Sequence, residues 1–314
     1  MALKRLSHPL VATLPGLAAE AVSRTLAADY QHCHAIMSMA SKNYSFASRM
    51  LPANKVHHVA ALYAVLRVGD DRVDVQHTGF DSARAAIEDW QTSYWRAFET
   101  GDSPHPVLRA YLHTAQQFGI APDLLTSYFR AMLDDLTVAR YPTFADLLHY
   151  MDGSAIPVGR AMTHILGTTT PSISAAYPAA DALSIAMQLS NFWRDIGEDW
   201  ARGRVYIPQE DLARFGVSED DLSAGRVSER LIALLEFEFA RTEQYYEQAR
   251  RGIALLASGR IGVMSALEIY RAIMDGIRRN DYDVFTRRAG TSRLQKIGLV
   301  LRAWRQVQQM PRGA

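Results

Sequence analysis

The chain of 314 residues has one cysteine, no excess of charge of either sign and few glycines and prolines, 19 and 12 respectively. A lone Cys33 excludes an internal disulfide framework and fits a reducing compartment. No apolar run reaches the roughly 18 residues of a membrane span. Pro9 and Pro15 interrupt the start MALKRLSHPLVATLPGLAAEAVS, so neither a signal peptide nor a transmembrane helix is expected. With 34 Lys and Arg against 33 Asp and Glu, the formal charge is +1, and basic residues never cluster beyond a pair or triplet. Nucleic-acid binding is therefore not expected. The expected location is the cytoplasm, with peripheral membrane contact left open.

Nearly half the residues, 48%, are hydrophobic and 21% are charged, the balance of a folded globular protein. The hydrophobic period is helical almost throughout. Val56, Val59, Ala60, Tyr63, Leu66 and Arg67 recur at steps of three and four within 54–74. The segments 82–99, 104–118, 122–137, 144–166, 179–200, 227–256, 260–280 and 291–309 follow the same rule, and no stretch alternates as a strand does. Breaks fall at Gly101 to Pro106, at Gly119 to Pro122, at Tyr141-Pro142-Thr143 and at Gly167 to Pro171. The expectation is an all-α fold in a single domain spanning 1–314, with 1–28 as an N-terminal extension and 291–314 as a C-terminal helix and tail. Residues 201–210, ARGRVYIPQE, read as an ordered loop over a site.

Two acidic clusters stand out. Asp70, Asp71 and Asp74 occupy positions i, i+1 and i+4, and Asp195, Glu198 and Asp199 occupy i, i+3 and i+4. Like charges at such spacing destabilise a helix by about 0.2–0.5 kcal/mol per pair, so a cation is expected to offset them. Carboxylate oxygens with no Cys or His nearby favour Mg²⁺, with Mn²⁺ as the alternative ion, completed by phosphate oxygens. Each cluster ends an apolar helix and has an arginine beside it, Arg67 or Arg194. Guanidinium groups bind phosphate in a bidentate way. Carboxylate, metal and arginine at the mouth of an apolar cavity point to ionisation of an allylic diphosphate.

These residues resemble the squalene and phytoene synthases, the head-to-head branch of the isoprenoid synthases. Ser41-Lys42-Asn43-Tyr44 with Met50-Leu51-Pro52 is similar to the family's SKSF…LLP opening, and Tyr63 to Asp74 to its YAFCRxxDDxxD motif. Tyr150 to Gly159 matches a central Y…VG segment, and Gln188 to Pro208 the QLTNxxRDxxEDxxxGRxYxP signature. The resemblance covers about 30–300 and implies the isoprenoid synthase fold around a central cavity. It implies Asp70, Asp74, Asp195 and Asp199 as Mg²⁺ ligands, with Asn191 and Glu198 beside them. It implies Arg67, Arg194 and Arg287 as diphosphate grips, and Tyr63, Tyr150, Tyr206 and Tyr270 facing diphosphates and carbocations. Ser41, Asn43, Tyr44, Gly159 and Gln188 fall in its substrate-binding positions. The chain departs from the pattern at Asn43, where a serine is usual, and in the run Ser154 to Arg160, which carries Pro157.

The implied reaction joins two prenyl diphosphates through a cyclopropyl diphosphate. Ala60 shares the inward face of Tyr63 and Arg67, and Ser48 lies one turn beyond Tyr44. Both are small, and each further buried CH₂ is worth about 0.8 kcal/mol, so geranylgeranyl diphosphate with phytoene as product is favoured. The alternatives are farnesyl diphosphate conversion to squalene, dehydrosqualene or presqualene diphosphate, with NADPH needed only for squalene, a terpene cyclase, and a family member that has lost catalysis and acts as an assembly factor. Among the remaining features, His32-Cys33-His34 is set aside as a metal site because i and i+2 diverge on a helix. His57-His58 reads as a polar edge, Met37, Met39 and Met50 as core fillers, and the helix around 295–304 as core-packed, with a membrane-surface role as its alternative.

Overall fold

The computed structural model describes residues 25–74 and 79–310. Residues 1–24 of the expected extension and 311–314 of the tail lie outside the described residues. The order is α1 (Leu26–Ala40), α2 (Lys42–Ser48), α3 (Ala53–Asp74), α4 (Ala83–Thr100), α5 (Pro106–Phe118), α6 (Thr126–Asp134), α7 (Phe144–Ser154) and α8 (Ile156–Leu166). It continues with α9 (Tyr177–Arg194), α10 (Ile196–Ala201), α11 (Gln209–Phe215), α12 (Glu219–Ser223), α13 (Glu229–Gly252), α14 (Arg260–Arg279) and α15 (Arg293–Gln309). The fold is all-α; among the described residues β-pairing is limited to two isolated bridges.

Local sequence sets many of the ends. Side chains of Thr25, Ser41, Ser82 and Ser228 accept from backbone N–H groups at the starts of α1, α2, α4 and α13. Such caps are each worth about 0.5–2 kcal/mol. Gly101, Gly119 and Gly216 end α4, α5 and α11 in the left-handed conformation. Two expected helices are broken. The segment 144–166 divides at Ala155, where Pro157 in the first turn of α8 has no N–H to continue the ladder of α7. The segment 179–200 divides at Asp195, with φ −101° and ψ 14°.

Two helices are buried nearly all round. On α3 every residue from His58 to Asp70 is buried, and on α9 every residue from Ser184 to Arg194. Helices α1, α4, α5 and α8 pack around α3, while α8, α13 and α14 pack around α9. One hydrophobic cluster runs through all of these elements. Helix burial on every side explains why both sequences lack a polar face until their acidic ends.

Three expectations are corrected. His58 is not at a polar edge: it is buried, and its Nδ1 lies 3.0 Å from the Tyr30 hydroxyl and 2.9 Å from that of Thr114. Met37 is a core filler, but Met39 is 51% exposed. Helix α15 buries only Lys296 and Ala303 and turns Leu294, Ile297, Leu301 and Trp304 outward. Among the described residues no helix is long and apolar enough to cross a membrane.

Candidate active site

The first acidic cluster is built on unbroken α3. Asp70 is buried and accepts from the Tyr128 hydroxyl at 3.2 Å, while the same hydroxyl donates to the Leu66 carbonyl at 2.6 Å. Tyr128 can reach this position because residue 69 is glycine: a Cβ there would stand 2.2 Å from the Tyr128 oxygen. Arg67 pairs with Asp71 at 2.5 Å one turn on. Burial alone would lower the Arg67 pKa, but Asp71 outweighs it and the guanidinium is held charged.

The second cluster sits at the break between α9 and α10. Arg194 grips Asp195 with two bonds, Nε to Oδ1 at 2.8 Å and Nη2 to Oδ2 at 2.5 Å. The i to i+4 relation survives the break, since the Asp199 N–H donates to the Asp195 carbonyl at 2.8 Å. Arg288 arrives from the segment after α14, with Nη2 2.7 Å from Asp195 Oδ1 and Nη1 on Glu198. Its route depends on two local devices. Asp281 and Tyr282, both with positive φ near 55°, reverse the chain at the end of α14. The returning strand of chain then crosses α10 at Gly197, where a Cβ would stand 2.8 Å from Phe285 Cα and 2.9 Å from the Val284 carbonyl oxygen.

The two clusters are tied together. Arg204, in the turn after Asp199, lies 3.4 Å from Asp74 and donates to the Asp135 carbonyl at 3.0 Å. Behind them stand buried tyrosines. The Tyr44 and Tyr63 rings are 5.0 Å apart. Tyr63 feels Arg67 and Asp70 on its own helix and Tyr270 across the site, and Tyr270 in turn feels Arg194 and Asp195 and bonds Ser41. Burial pushes the hydroxyls of Tyr44, Tyr63 and Tyr270 up, so they remain protonated donors. Among the described residues the Tyr63 hydroxyl is buried without a hydrogen-bond partner, which marks it for a ligand oxygen.

On the other side, Tyr206 from the loop stacks on Phe192 at 4.0 Å and 10° and lies 5.9 Å from Tyr150 and 5.7 Å from Tyr141. These four rings line up faces that suit a cation. Tyr44 also lines an apolar cavity bounded by α2, α3, α8, α9, α13 and α14. It opens to solvent, and its empty space together with that opening amounts to about 880 Å³. Its hydroxyls face away from a hydrocarbon: Ser48 donates to the Ser45 carbonyl, Thr163 to that of Gly159 and Ser184 to that of Ala180. Gly159 serves both wall and packing, since a Cβ there would meet Ser184 Oγ at 2.2 Å.

The structure thus gathers Ser41, Tyr44, Tyr63, Arg67, Asp70, Arg194, Asp195 and Tyr270 around one mouth, with Asp74 and Asp199 joined through Arg204. Gln188 and Asn191 are buried on α9 above it, and Asn43 is half-buried on α2. Two expectations are corrected. The Arg287 side chain is 66% exposed, its nearest carboxylate being Asp283 at 4.0 Å, and Arg288 takes the place expected of it. On α3 the cavity wall is Val59; Ala60 is buried outside the lining. Sequence reasoning missed the supports Tyr128, Tyr141, Phe192 and Arg288. Gly69 and Gly197, both inside the quoted motifs, were the available signals of close approach.

Among the described residues no three carboxylate, His or Cys side chains are gathered tightly enough to hold a metal unaided. The donor set nonetheless fits Mg²⁺, which is commonly held by one or two carboxylates together with substrate phosphate oxygens. Guanidinium groups compensate these carboxylates in the structure.

Carboxylates paired with arginines, buried tyrosines and an apolar cavity, inside an all-helical bundle, are the parts of a prenyltransferase of the isoprenoid synthase fold. Comparison with known proteins narrows this. The squalene/phytoene synthase family model matches residues 37–295, and the chain belongs to that family. It is 33% identical over 278 residues to the 15-cis-phytoene synthase of Synechococcus elongatus, covering 84% of this chain and 89% of that one. It is 34% identical over 271 residues to the phytoene synthase of Arthrospira platensis, covering 83% and 87%. Among solved structures it is similar to a dehydrosqualene synthase in complex with ligand, with TM-score 0.84 and 26% identity over 91% of this chain and 98% of that one. The squalene synthase HpnC from Alicyclobacillus acidocaldarius gives TM-score 0.72 and 27% identity over 82% and 96%.

Proposed function

We propose that the chain joins two geranylgeranyl diphosphates head to head to give phytoene and diphosphate. The observation that carries this reading is the apolar cavity with small side chains such as Ser48, Gly159 and Ala180 in its wall, linked to the first acidic cluster through Tyr44 and the Tyr63 ring 5.0 Å from it. The names of the two cyanobacterial relatives support the same product. In the first half-reaction one C1–O bond breaks, its electron pair leaves with diphosphate, and an allylic cation remains. The C2=C3 bond of the second substrate attacks this cation, and loss of a proton to the released diphosphate closes a cyclopropyl diphosphate. In the second half-reaction that intermediate loses its diphosphate, the ring rearranges, and a proton passes to the released diphosphate.

Arg67 and Arg194 bind the leaving diphosphate, with Arg288 as a third guanidinium in reach, and Tyr63 and Tyr270 donate hydroxyl protons to its oxygens. Asp70, Asp74, Asp195 and Asp199 would hold Mg²⁺, or Mn²⁺ in its place, with Glu198 and Asn191 beside them. Bound in this way, the ion supplies charge neutralisation of the leaving group. The faces of Tyr150, Tyr206, Phe192 and Tyr141 steer the cation, at about 0.5–2 kcal/mol per ring, without trapping it. The apolar lining offers no hydroxyl free to quench it, since Ser48, Thr163 and Ser184 are bonded to backbone carbonyls. NADPH has no part in this reaction.

A second reading, use of farnesyl diphosphate, is favoured by Val59 standing where Ala60 was expected to leave room and by the names of the two structural neighbours. One experiment separates them. Purified protein with MgCl₂ is incubated with each diphosphate in turn, with and without NADPH, and the extracted hydrocarbons are analysed by mass spectrometry. Phytoene made from geranylgeranyl diphosphate without NADPH is the expected result. Squalene or dehydrosqualene from farnesyl diphosphate alone overturns it.

A further inference from the structure

Helix α15 is turned inside out relative to an ordinary surface helix. Its buried positions are Lys296 and Ala303, whereas Leu294, Ile297, Leu301 and Trp304, at steps of three, four and three, are 81%, 45%, 55% and 49% exposed. These steps place all four on one outward face. Four of the nine large apolar side chains exposed among the described residues stand on this one helix. The helix is firmly seated in this orientation. Ser292 and Gln295 form a capping box at its start, Lys296 sits over the Phe46 ring, and Arg250 donates to Gln306 at 2.7 Å near its end. The outward stripe is therefore a feature of the folded protein.

The charges beside the stripe name its partner. Arg293, Arg302 and Arg305 are exposed along it, Arg302 lying 3.9 Å from the buried Glu268 of α14 while still 62% exposed, and α15 itself contains no Asp or Glu. Contact between two copies across this face would bring rows of arginines together with no acidic partner on either helix. An anionic bilayer offers the matching layers instead: acyl chains for Leu294, Ile297 and Leu301, the interface for Trp304, and phosphate headgroups for the flanking arginines. We propose that the outward face of α15 docks the protein on an anionic lipid bilayer. The face also lies one helix from the hydrocarbon cavity. Helix α14, on which α15 packs, lines that cavity with Gly262, Val263 and Ala266. The inference stands on this surface itself and holds for either length of prenyl chain.

The test is cosedimentation of the full chain with phosphatidylglycerol–phosphatidylcholine vesicles and with phosphatidylcholine vesicles alone. The wild type pellets with the anionic vesicles, less with the neutral ones, and less again as salt is raised. L301E/W304E lowers the partition coefficient by about tenfold or more. R302Q/R305Q lowers it by about fivefold for each arginine and flattens the salt dependence. Both variants melt close to the wild type: Leu301, Trp304 and Arg305 face solvent, and the 3.9 Å pair of Arg302 with Glu268 leaves Glu268 paired with Arg250 at 3.0 Å. The proposal is overturned if the wild type stays in the supernatant with anionic vesicles, or if L301E/W304E binds as the wild type does. It is equally overturned if the wild type ignores vesicles but sediments as a dimer that L301E/W304E converts to monomer, or if vesicle binding emerges only on deleting residues 1–24.

Discussion

The two acidic clusters share a spacing and differ in construction. Asp70 and Asp74 ride on one continuous helix, and Asp70 is fixed by a buried tyrosine from α6. Asp195 and Asp199 straddle a helix break, and Asp195 is held by two arginines, one beside it in sequence and one from the far end of the chain. The like-charge cost of the first pattern is offset by Arg67 and Arg204, that of the second by Arg194 and Arg288. The difference lies in the leading carboxylates: Asp70 is positioned by packing against Tyr128, Asp195 by two guanidinium groups. Of the two guanidinium groups on Asp195, Arg288 is 29% exposed against 5% for Arg194 and is the one with room to move.

Removing a carboxylate has the largest expected effect. D70A and D195A should each lower kcat by about 10²–10³-fold or more while leaving the far-ultraviolet circular dichroism of the wild type, as for the loss of a group that stabilises transition-state charge. An active D195A would mean that the paired cluster is dispensable and the comparison is one of scaffold against ornament. Next comes the backbone crossing. G197A places a Cβ against Phe285 Cα, which cannot rotate away, and should cost about 1–3 kcal/mol in chemical denaturation. G69A meets only the end of the Tyr128 ring and should cost less; the reverse order would contradict packing by Tyr128 as the softer constraint.

Y128F removes a hydroxyl that serves Leu66 and Asp70, an expected loss of about 0.5–1.5 kcal/mol at the denaturant midpoint. The smallest change in stability belongs to R288Q. Its pairs are partly exposed, so the cost without divalent ions should not exceed about 1 kcal/mol. With that guanidinium gone, MgCl₂ should raise the melting temperature of R288Q more than that of the wild type. An equal or smaller rise would show that Arg288 does not compete for Asp195.

Much of the scaffold was legible because its signals are local. The period of Val56 to Arg67 is a property of adjacent turns, and so are the stops at Gly101 and Gly119. The breaks at Ala155 and Asp195 were not legible from the period, since a hydrophobic repeat continues in phase across a kink that keeps the same face inward. Pro157 carried the only local warning of the first break. The short helices α11 and α12 fall below the window in which a repeat can be counted. His58 and α15 failed for the opposite reason. A histidine reads as polar until Tyr30 and Thr114 arrive from α1 and α5 to satisfy it, and an apolar stripe reads as buried until its neighbours are seen to cover the other side.

The sequence by itself determined that this protein is helical, that two carboxylate clusters end its most apolar helices, and that arginines, tyrosines and small residues accompany them. Those are facts of residue type and of spacing within a few turns. Only the tertiary structure decided which of two adjacent, chemically identical arginines faces the second cluster. That choice depends on the reversal at Asp281 and Tyr282 and on the crossing at Gly197, which together set the rotation of the chain as it passes Asp195. It decided likewise that Val59 and not Ala60 walls the cavity, because one residue turns a side chain by about 100° around a helix and the packing of α3 against its neighbours fixes which side is inward.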